Sequence, residues 1–137
     1  MRLFATLLCI FQILALRAQD TTDAAFIRAN YTKREVLIPM RDGVRLFTSI
    51  YTPKNLSKTY PILMRRTPYS CAPYGVDAYS DRIQNMHLVR AGYIFVFQDV
   101  RGRYMSEGEF VDVRPHNPNK KTKQDTDEAS DTYDTVE

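Results

Sequence analysis

Apolar and polar positions follow three different rhythms along this chain. Val44, Leu46 and Ile50, with Thr48 between them, recur at a period of two across residues 44–52. That alternation predicts a strand with one buried face. Residues 34–40, Arg34-Glu35-Val36-Leu37-Ile38-Pro39-Met40, read as its partner strand, and Asp42-Gly43 between the two apolar runs is a hairpin signal. Residues 60–65 form a nearly continuous apolar run, the pattern of a strand covered on both faces. Residues 67–75 contain Pro68, Pro73 and Gly75 and read as loop. In residues 77–91 the spacing of Tyr79, Ile83, Met86 and Arg90 predicts a helix, with Gly92 at its C-terminal stop. Residues 93–98 are aromatic and β-branched and give the strongest strand signal. A long loop over 99–123 leads to a final helix. There Asp125 is expected to cap the free amides and Glu128 to reach back to them, with Ala129, Tyr133 and Val136 on one face. The chain reaches Glu137 inside this helix without a stop signal, so it is expected to be truncated.

The order is therefore hairpin, strand, helix, strand, helix. A strand-helix-strand crossover requires a parallel pair. An antiparallel hairpin leading into a parallel βαβ unit is how an α/β-hydrolase sheet begins. The expected fold is the N-terminal part of such a sheet, ending before the strand that carries the nucleophile.

The N-terminus changes the picture of where this domain works. Met1-Arg2 is a positive start, residues 3–16 are apolar apart from Thr6 and Gln12, and Ala18 stands at a cleavage position. This is a signal-peptide layout. The 14-residue run is shorter than the roughly 20 residues of a membrane-spanning helix. The expected division is a signal peptide over 1–18, an arm over 19–33 and a partial α/β-hydrolase domain over 34–137. The product would be exported, periplasmic or secreted, with no membrane attachment after cleavage. Losing Arg2 and Arg17 from 19 Lys and Arg, against 16 Asp and Glu, lowers the formal charge from +3 to +1. So near-neutral a chain gives no reason to expect a nucleic-acid partner. Cys9 goes with the signal peptide, which leaves Cys71 as a small buried thiol or as half of a bridge to another chain. No metal site and no cofactor are expected.

Candidate chemistry is sparse. No G-x-S-x-G occurs, and the nearest approach to it places Tyr104 where the first glycine before Ser106 belongs. His87, on the predicted helix, and His116, in the loop, are the available bases, and a complete triad is not expected within this chain. Arg65-Arg66-Thr67-Pro68-Tyr69 follows the third strand, where this fold builds part of its oxyanion hole. The Tyr69 hydroxyl on a proline-stiffened turn is a candidate donor to a developing oxyanion, and packing on the loop is its alternative role. Asp99 and Arg101 follow the strongest strand at its carboxyl end, where α/β sheets place ligands. They read either as an active-site border or as an interaction that holds the loop, with Gly102 for a special backbone angle. Asp125, Asp127, Glu128, Asp131 and Asp134 lack the glycine of a calcium loop and read as acids complementing a helix N-terminus.

Four blocks carry a resemblance. They are Pro39-Met40-Arg41-Asp42-Gly43-Val44-Arg45-Leu46, Arg66-Thr67-Pro68-Tyr69, the segment from Gly92 to Phe110 containing Gln98-Asp99-Val100-Arg101-Gly102-Arg103, and the segment from Thr126 to Glu137. In this order they resemble the X-Pro dipeptidyl-peptidase superfamily, in the branch of cocaine esterase, the α-amino acid ester hydrolases and the cephalosporin acylases. Val113-Arg114-Pro115 leans towards the amino-acid-ester and acylase branch. The resemblance implies a serine hydrolase of acyl or α-amino-acyl esters and amides, working through an acyl-enzyme on a small-molecule substrate. It implies an oxyanion-hole role for Tyr69, with the nucleophile, acid and base beyond Glu137. A fragment of this kind would be inactive alone. The competing expectations are an X-Pro dipeptidyl peptidase and a non-catalytic exported module that binds a partner through its open sheet edge, an edge that also leaves homo-oligomer formation open.

Overall fold

The computed structural model describes residues 23–80, 83 and 85–137. The expected signal peptide at 1–18 lies outside the described residues. A helical stretch at 23–30 (α1) precedes the first strand. It lies within the expected arm over 19–33, whose last three residues belong to that strand. α1 shows no clean helical period in its apolar residues, Ala24, Ala25, Phe26, Ile27 and Ala29. It is held by tertiary contact, through buried Ile27 and through Phe26, which packs against the core.

β1 (Tyr31–Pro39) and β2 (Arg45–Pro53) form the expected antiparallel hairpin. Its turn is closed by the Gly43 amide donating to the Met40 carbonyl at 2.8 Å. β3 (Ile62–Thr67), α2 (Met86–Ala91) and β4 (Ile94–Asp99) form the crossover unit, in which β3 and β4 run parallel. β2 pairs antiparallel with β4, so the sheet order is β1-β2-β4-β3. α3 (Glu128–Val136) closes the described chain.

Three expectations change. β2 is buried on both faces, because Phe47, Ser49 and Tyr51 are covered as well as Leu46 and Thr48. β3, expected to be covered on both faces, is an edge strand, and Ile62 is 65% exposed. Among the described residues, the helix expected over 77–91 is only α2. Residues 78–80 bond outwards instead: the Tyr79 hydroxyl donates to the Tyr31 carbonyl at 3.0 Å and the Ser80 amide to the Tyr51 hydroxyl at 3.0 Å. The helix then starts where the Asn85 side chain accepts the Leu88 amide. It stops at Gly92 as expected, with φ 87°, and a Cβ at this position would lie 2.5 Å from the Tyr60 ring.

One face of the sheet carries an aromatic core. Tyr51 sits edge-on to Phe97 and to Tyr79, each at 5.8 Å, and Phe47 to Tyr74 at 5.2 Å. Tyr31 is buried beside Phe95 and donates its hydroxyl to the carbonyls of Val89 and Tyr93. α3 lies on the other face, where Gln98 of β4 donates to Thr48 and to Thr135. Asp127, not Asp125, caps α3. Its side chain accepts the Ser130 amide while the Ser130 hydroxyl accepts the Asp127 amide, each at 2.8 Å. Asp125 accepts the amides of Lys121 and Thr122 in the preceding turn.

Candidate active site

The parallel register pairs Thr67 with Asp99, so β3 and β4 end side by side. The Val100 amide continues that pairing by donating to the Thr67 carbonyl at 3.2 Å. Pro68 and Tyr69 leave the sheet at this carboxyl end, where open α/β sheets place their ligands. Tyr69 is 79% exposed. It is therefore not packed on the loop in the described structure.

The turn that carries Tyr69 is anchored on both sides. The Tyr69 amide donates to the Thr67 hydroxyl at 3.0 Å, and Arg103 Nε donates to the Pro68 carbonyl at 3.1 Å. Ser70 follows at φ 73°, a left-handed conformation that costs a non-glycine residue on the order of 1–2 kcal/mol. Beyond it the chain is pinned from below. Lys33 Nζ, buried in β1, donates to the carbonyls of Pro73, Gly75 and Ala78 at 2.7, 2.9 and 2.9 Å, and pairs with Glu35. Glu35 in turn accepts the Gly75 amide at 2.8 Å. The loop expected from its prolines alone is thus a fixed platform.

Asp99 and Arg101 both lie behind this platform, and they have different partners. Asp99 accepts the Cys71 amide at 2.7 Å and the Tyr74 hydroxyl at 2.9 Å, which joins it to the Tyr69 loop. Arg101 turns away. It binds Asp131 of α3 through Nε and Nη2 at 3.0 and 2.6 Å, and Asp42 of the hairpin turn at 2.7 Å. Burial by itself would lower the Arg101 pKa. The hydrogen bonds that Arg101 donates to Asp131 and Asp42 outweigh that effect and hold the guanidinium above its ordinary value. The expected direct Asp99–Arg101 interaction is absent among the described residues. Gly102, at φ 69°, leaves no room for a Cβ, which would overlap the Phe110 amide.

The acids of the last helix prove to be counter-ions as well as N-terminal charges. Arg66 pairs with Glu128 at 2.6 Å, Arg41 with Asp134 at 2.7 Å, and Arg101 with Asp131. Sequence reasoning missed these arginine partners. The available signal was the helical spacing of Glu128, Asp131 and Asp134, which places three acids on neighbouring positions of one side. Ala129, Tyr133 and Val136 share the opposite, exposed side.

Ser106 is spoken for structurally. Its hydroxyl donates to the Asp99 carbonyl at 2.6 Å and accepts the Phe47 amide at 2.8 Å. His116 touches Asp127 at 2.9 Å, and His87 is exposed on α2 rather than partly buried. Cys71 is a buried free thiol. Burial, reinforced by Asp99, pushes its pKa up to about 12, so it is not a thiolate nucleophile at neutral pH. What the arrangement offers chemically is a fixed turn presenting a phenol beside two strand ends.

Residues 42–137 match the X-Pro dipeptidyl-peptidase (S15 family). The chain belongs to this family. It is 40% identical over 102 residues to the cocaine esterase of Rhodococcus sp. (strain MB1 Bresler), an alignment covering 73% of this chain and 17% of that protein. A solved α-amino acid ester hydrolase superposes with a TM-score of 0.61 at 43% identity, over 78% of this chain and 18% of that one. An aminopeptidase from a marine sediment Thaumarchaeota archaeon does so with a TM-score of 0.63 at 39% identity, again over 78% and 18%. These neighbours are α/β-hydrolase-type enzymes, and the mixed sheet with its crossover helix is the N-terminal portion of that fold. The chain spans less than a fifth of the length of these three proteins.

Proposed function

We propose that this chain supplies the oxyanion-binding part of a serine hydrolase of acyl or α-amino-acyl esters and amides. The observation that carries the reading is Tyr69, exposed on a turn anchored before and after it at the carboxyl ends of two parallel strands. In the proposed reaction a serine from outside residues 1–137 attacks the substrate carbonyl and a base takes its proton. The carbonyl oxygen gains the negative charge and accepts a hydrogen bond from the Tyr69 hydroxyl. Collapse expels the protonated alcohol or amine and leaves an acyl-enzyme, which water then hydrolyses. A donor fixed in advance needs no reorganisation as the charge appears, which is why a pinned turn suits this role.

In a hydrolase containing these residues, Tyr69→Phe is expected to lower kcat by about 10²–10³-fold, the usual effect of losing one oxyanion donor. Residues 19–137 alone are expected to show no ester turnover. Turnover by them that survives Tyr69→Phe and disappears in Ser106→Ala would overturn the reading. The sequence downstream of the Glu137 codon is expected to encode a G-x-S-x-G.

A second reading, an X-Pro dipeptidyl peptidase, is favoured by the description of the matching family and by the aminopeptidase relative. Comparing turnover of an α-amino-acyl ester with that of an X-Pro dipeptide amide separates the two. The charged start, apolar run and Ala18 support an exported product. N-terminal sequencing of that product is expected to begin at Gln19, and an intact Met1 refutes export by cleavage.

A further inference from the structure

Asp99 is completely buried, and among the described residues no lysine, arginine or histidine pairs with it. A carboxylate without a cation is a costly group to bury. Three neutral donors surround it instead. Oδ1 accepts the Cys71 amide at 2.7 Å, and Oδ2 accepts the Tyr74 hydroxyl at 2.9 Å and the Met105 amide at 3.4 Å. Accepting on both oxygens at once is something a carboxylate does and a carboxamide cannot, because the amide presents donors on one side.

These donors come from the two loops that flank Tyr69. Cys71 lies two residues after Tyr69, across the left-handed Ser70. Tyr74 reaches the same carboxylate and is also 2.9 Å from the Ser70 hydroxyl, which accepts the Ala72 amide at 3.1 Å. Met105 lies two residues after Arg103, whose Nε holds the Pro68 carbonyl just before Tyr69. Arg103 is itself fixed over the rings of Tyr104 and Phe110, at 5.2 and 4.8 Å. One carboxylate therefore ties the segment after Tyr69 to the segment that grips the residue before it.

We infer that Asp99 is the positioning residue for the Tyr69 hydroxyl: its carboxylate sets where the phenol stands and never contacts substrate. The inference rests on the oxyanion reading of Tyr69. It separates Asp99 from Arg101, whose bonds go to the hairpin turn and α3.

Two measurements test it. In the 137-residue chain, amide hydrogen exchange is followed at Cys71 and Met105 in the wild type and in Asp99→Asn. Local release is expected to speed exchange at both amides by at least about 10-fold while β1–β2 amides keep their protection, since local openings and global unfolding have separate free energies. Unchanged exchange at Cys71 overturns the inference. In the hydrolase that contains these residues, Asp99→Asn is expected to lower kcat by about 10–100-fold with KM nearly unchanged, as a misplacement of about 1 Å does. Adding Asp99→Asn to Tyr69→Phe is expected to cost less than about 3-fold more, because residues acting through one group are not additive. Fully additive losses overturn the inference, as does fast turnover by Asp99→Asn beside slow turnover by Tyr69→Phe. A Tyr69→Phe enzyme with full turnover overturns the oxyanion reading itself, even where Cys71 exchange shows Asp99 gripping the loop. Should Asp99→Asn not fold, Tyr74→Phe removes one of the three donors and keeps the ring against Phe47. It is expected to lower kcat by about 3–10-fold at unchanged KM, on the same positional argument. An unaltered kcat overturns the inference.

Discussion

On one face of the sheet Phe47, Tyr51, Phe95 and Phe97 close against Tyr31, Ile83, Val89 and Cys71. On the other face α3 is held by Arg41–Asp134, Arg66–Glu128 and Arg101–Asp131, with Gln98 bridging Thr48 and Thr135. The first face stabilises through apolar area, which is non-directional and tolerates small shifts. The second fixes the helix at discrete points, because a bidentate arginine–carboxylate pair has one good geometry. The difference explains why the exposed side of α3 is its apolar side. Its docking surface is polar, and Tyr133 stays 57% exposed. It also explains the position of the candidate site. The aromatic face supports the Tyr69 platform through Tyr74 and Lys33, whereas the charged face keeps Arg101 away from it.

The comparison is tested most severely by deleting an aromatic side chain. Phe97→Ala is expected to lower unfolding free energy by about 4 kcal/mol, the usual cost of a large core truncation. A loss below about 1 kcal/mol in chemical denaturation would mean that this face does not carry the stability.

Next in size is Asp131→Ala, which leaves the buried Arg101 guanidinium with Asp42 as its remaining partner in that cluster. It is expected to cost about 3 kcal/mol, as removing one member of a buried pair does. Replacing both partners, Arg101→Met with Asp131→Leu, is expected to recover most of that loss. If the double variant is no better than the single one, the charges matter for more than their mutual compensation.

pH distinguishes the faces more gently. Burial pushes the Tyr31 and Tyr51 phenols up to about 12. The unfolded chain ionises them near 10. The folded state's advantage is therefore complete below about pH 10 and lost as pH rises from 10 towards 12. On the other face the Arg41 hydrogen bond holds Asp134 below its ordinary range. Asp127 is also held low, because its bonds to Lys120, Asn117 and Ser130 outweigh its burial. Their contribution is present above about pH 3.9 and lost as pH falls below that value. Acid is expected to loosen α3 amides first, and alkali the tyrosine core, as read by pH-dependent hydrogen exchange. The smallest effect is expected at the exposed Arg45–Glu107 pair, where Arg45→Ala should leave the unfolding midpoint unchanged.

Much of this was legible in the residues. Asp42-Gly43 announced the hairpin, Gly92 the end of α2, and the aromatic run at 93–98 the central strand. The turn bearing Tyr69 was readable from Pro68 and its place after the third strand. Other features were not legible for definite reasons. β2 showed one stripe, Val44, Leu46, Thr48 and Ile50, but its second face, Phe47, Ser49 and Tyr51, is buried against Tyr74, Tyr79 and Phe97, partners distant in sequence that no local period reveals. The helix expected from residue 77 did not form over 78–80 because the Ser80 amide donates to the Tyr51 hydroxyl and the Ala78 carbonyl accepts from Lys33, while the Tyr79 hydroxyl donates to the Tyr31 carbonyl, all partners distant in sequence. Asp127 displaced Asp125 as the cap because Ser130, rather than Glu128, returned the second bond.

Local pattern determined what is set by near neighbours: strand and turn periods, the glycine stop, the phenol on a stiff loop after the third strand. Those depend on backbone sterics and on side chains a few residues apart. Tertiary structure alone decided the pairing of charges and the burial of Asp99, because Arg101 meets Asp42 and Asp131, and Asp99 meets Cys71, across 28 to 59 residues of sequence. Long-range hydrogen bonds form only after the sheet has brought their partners together, and one sequence read in order carries no record of that meeting.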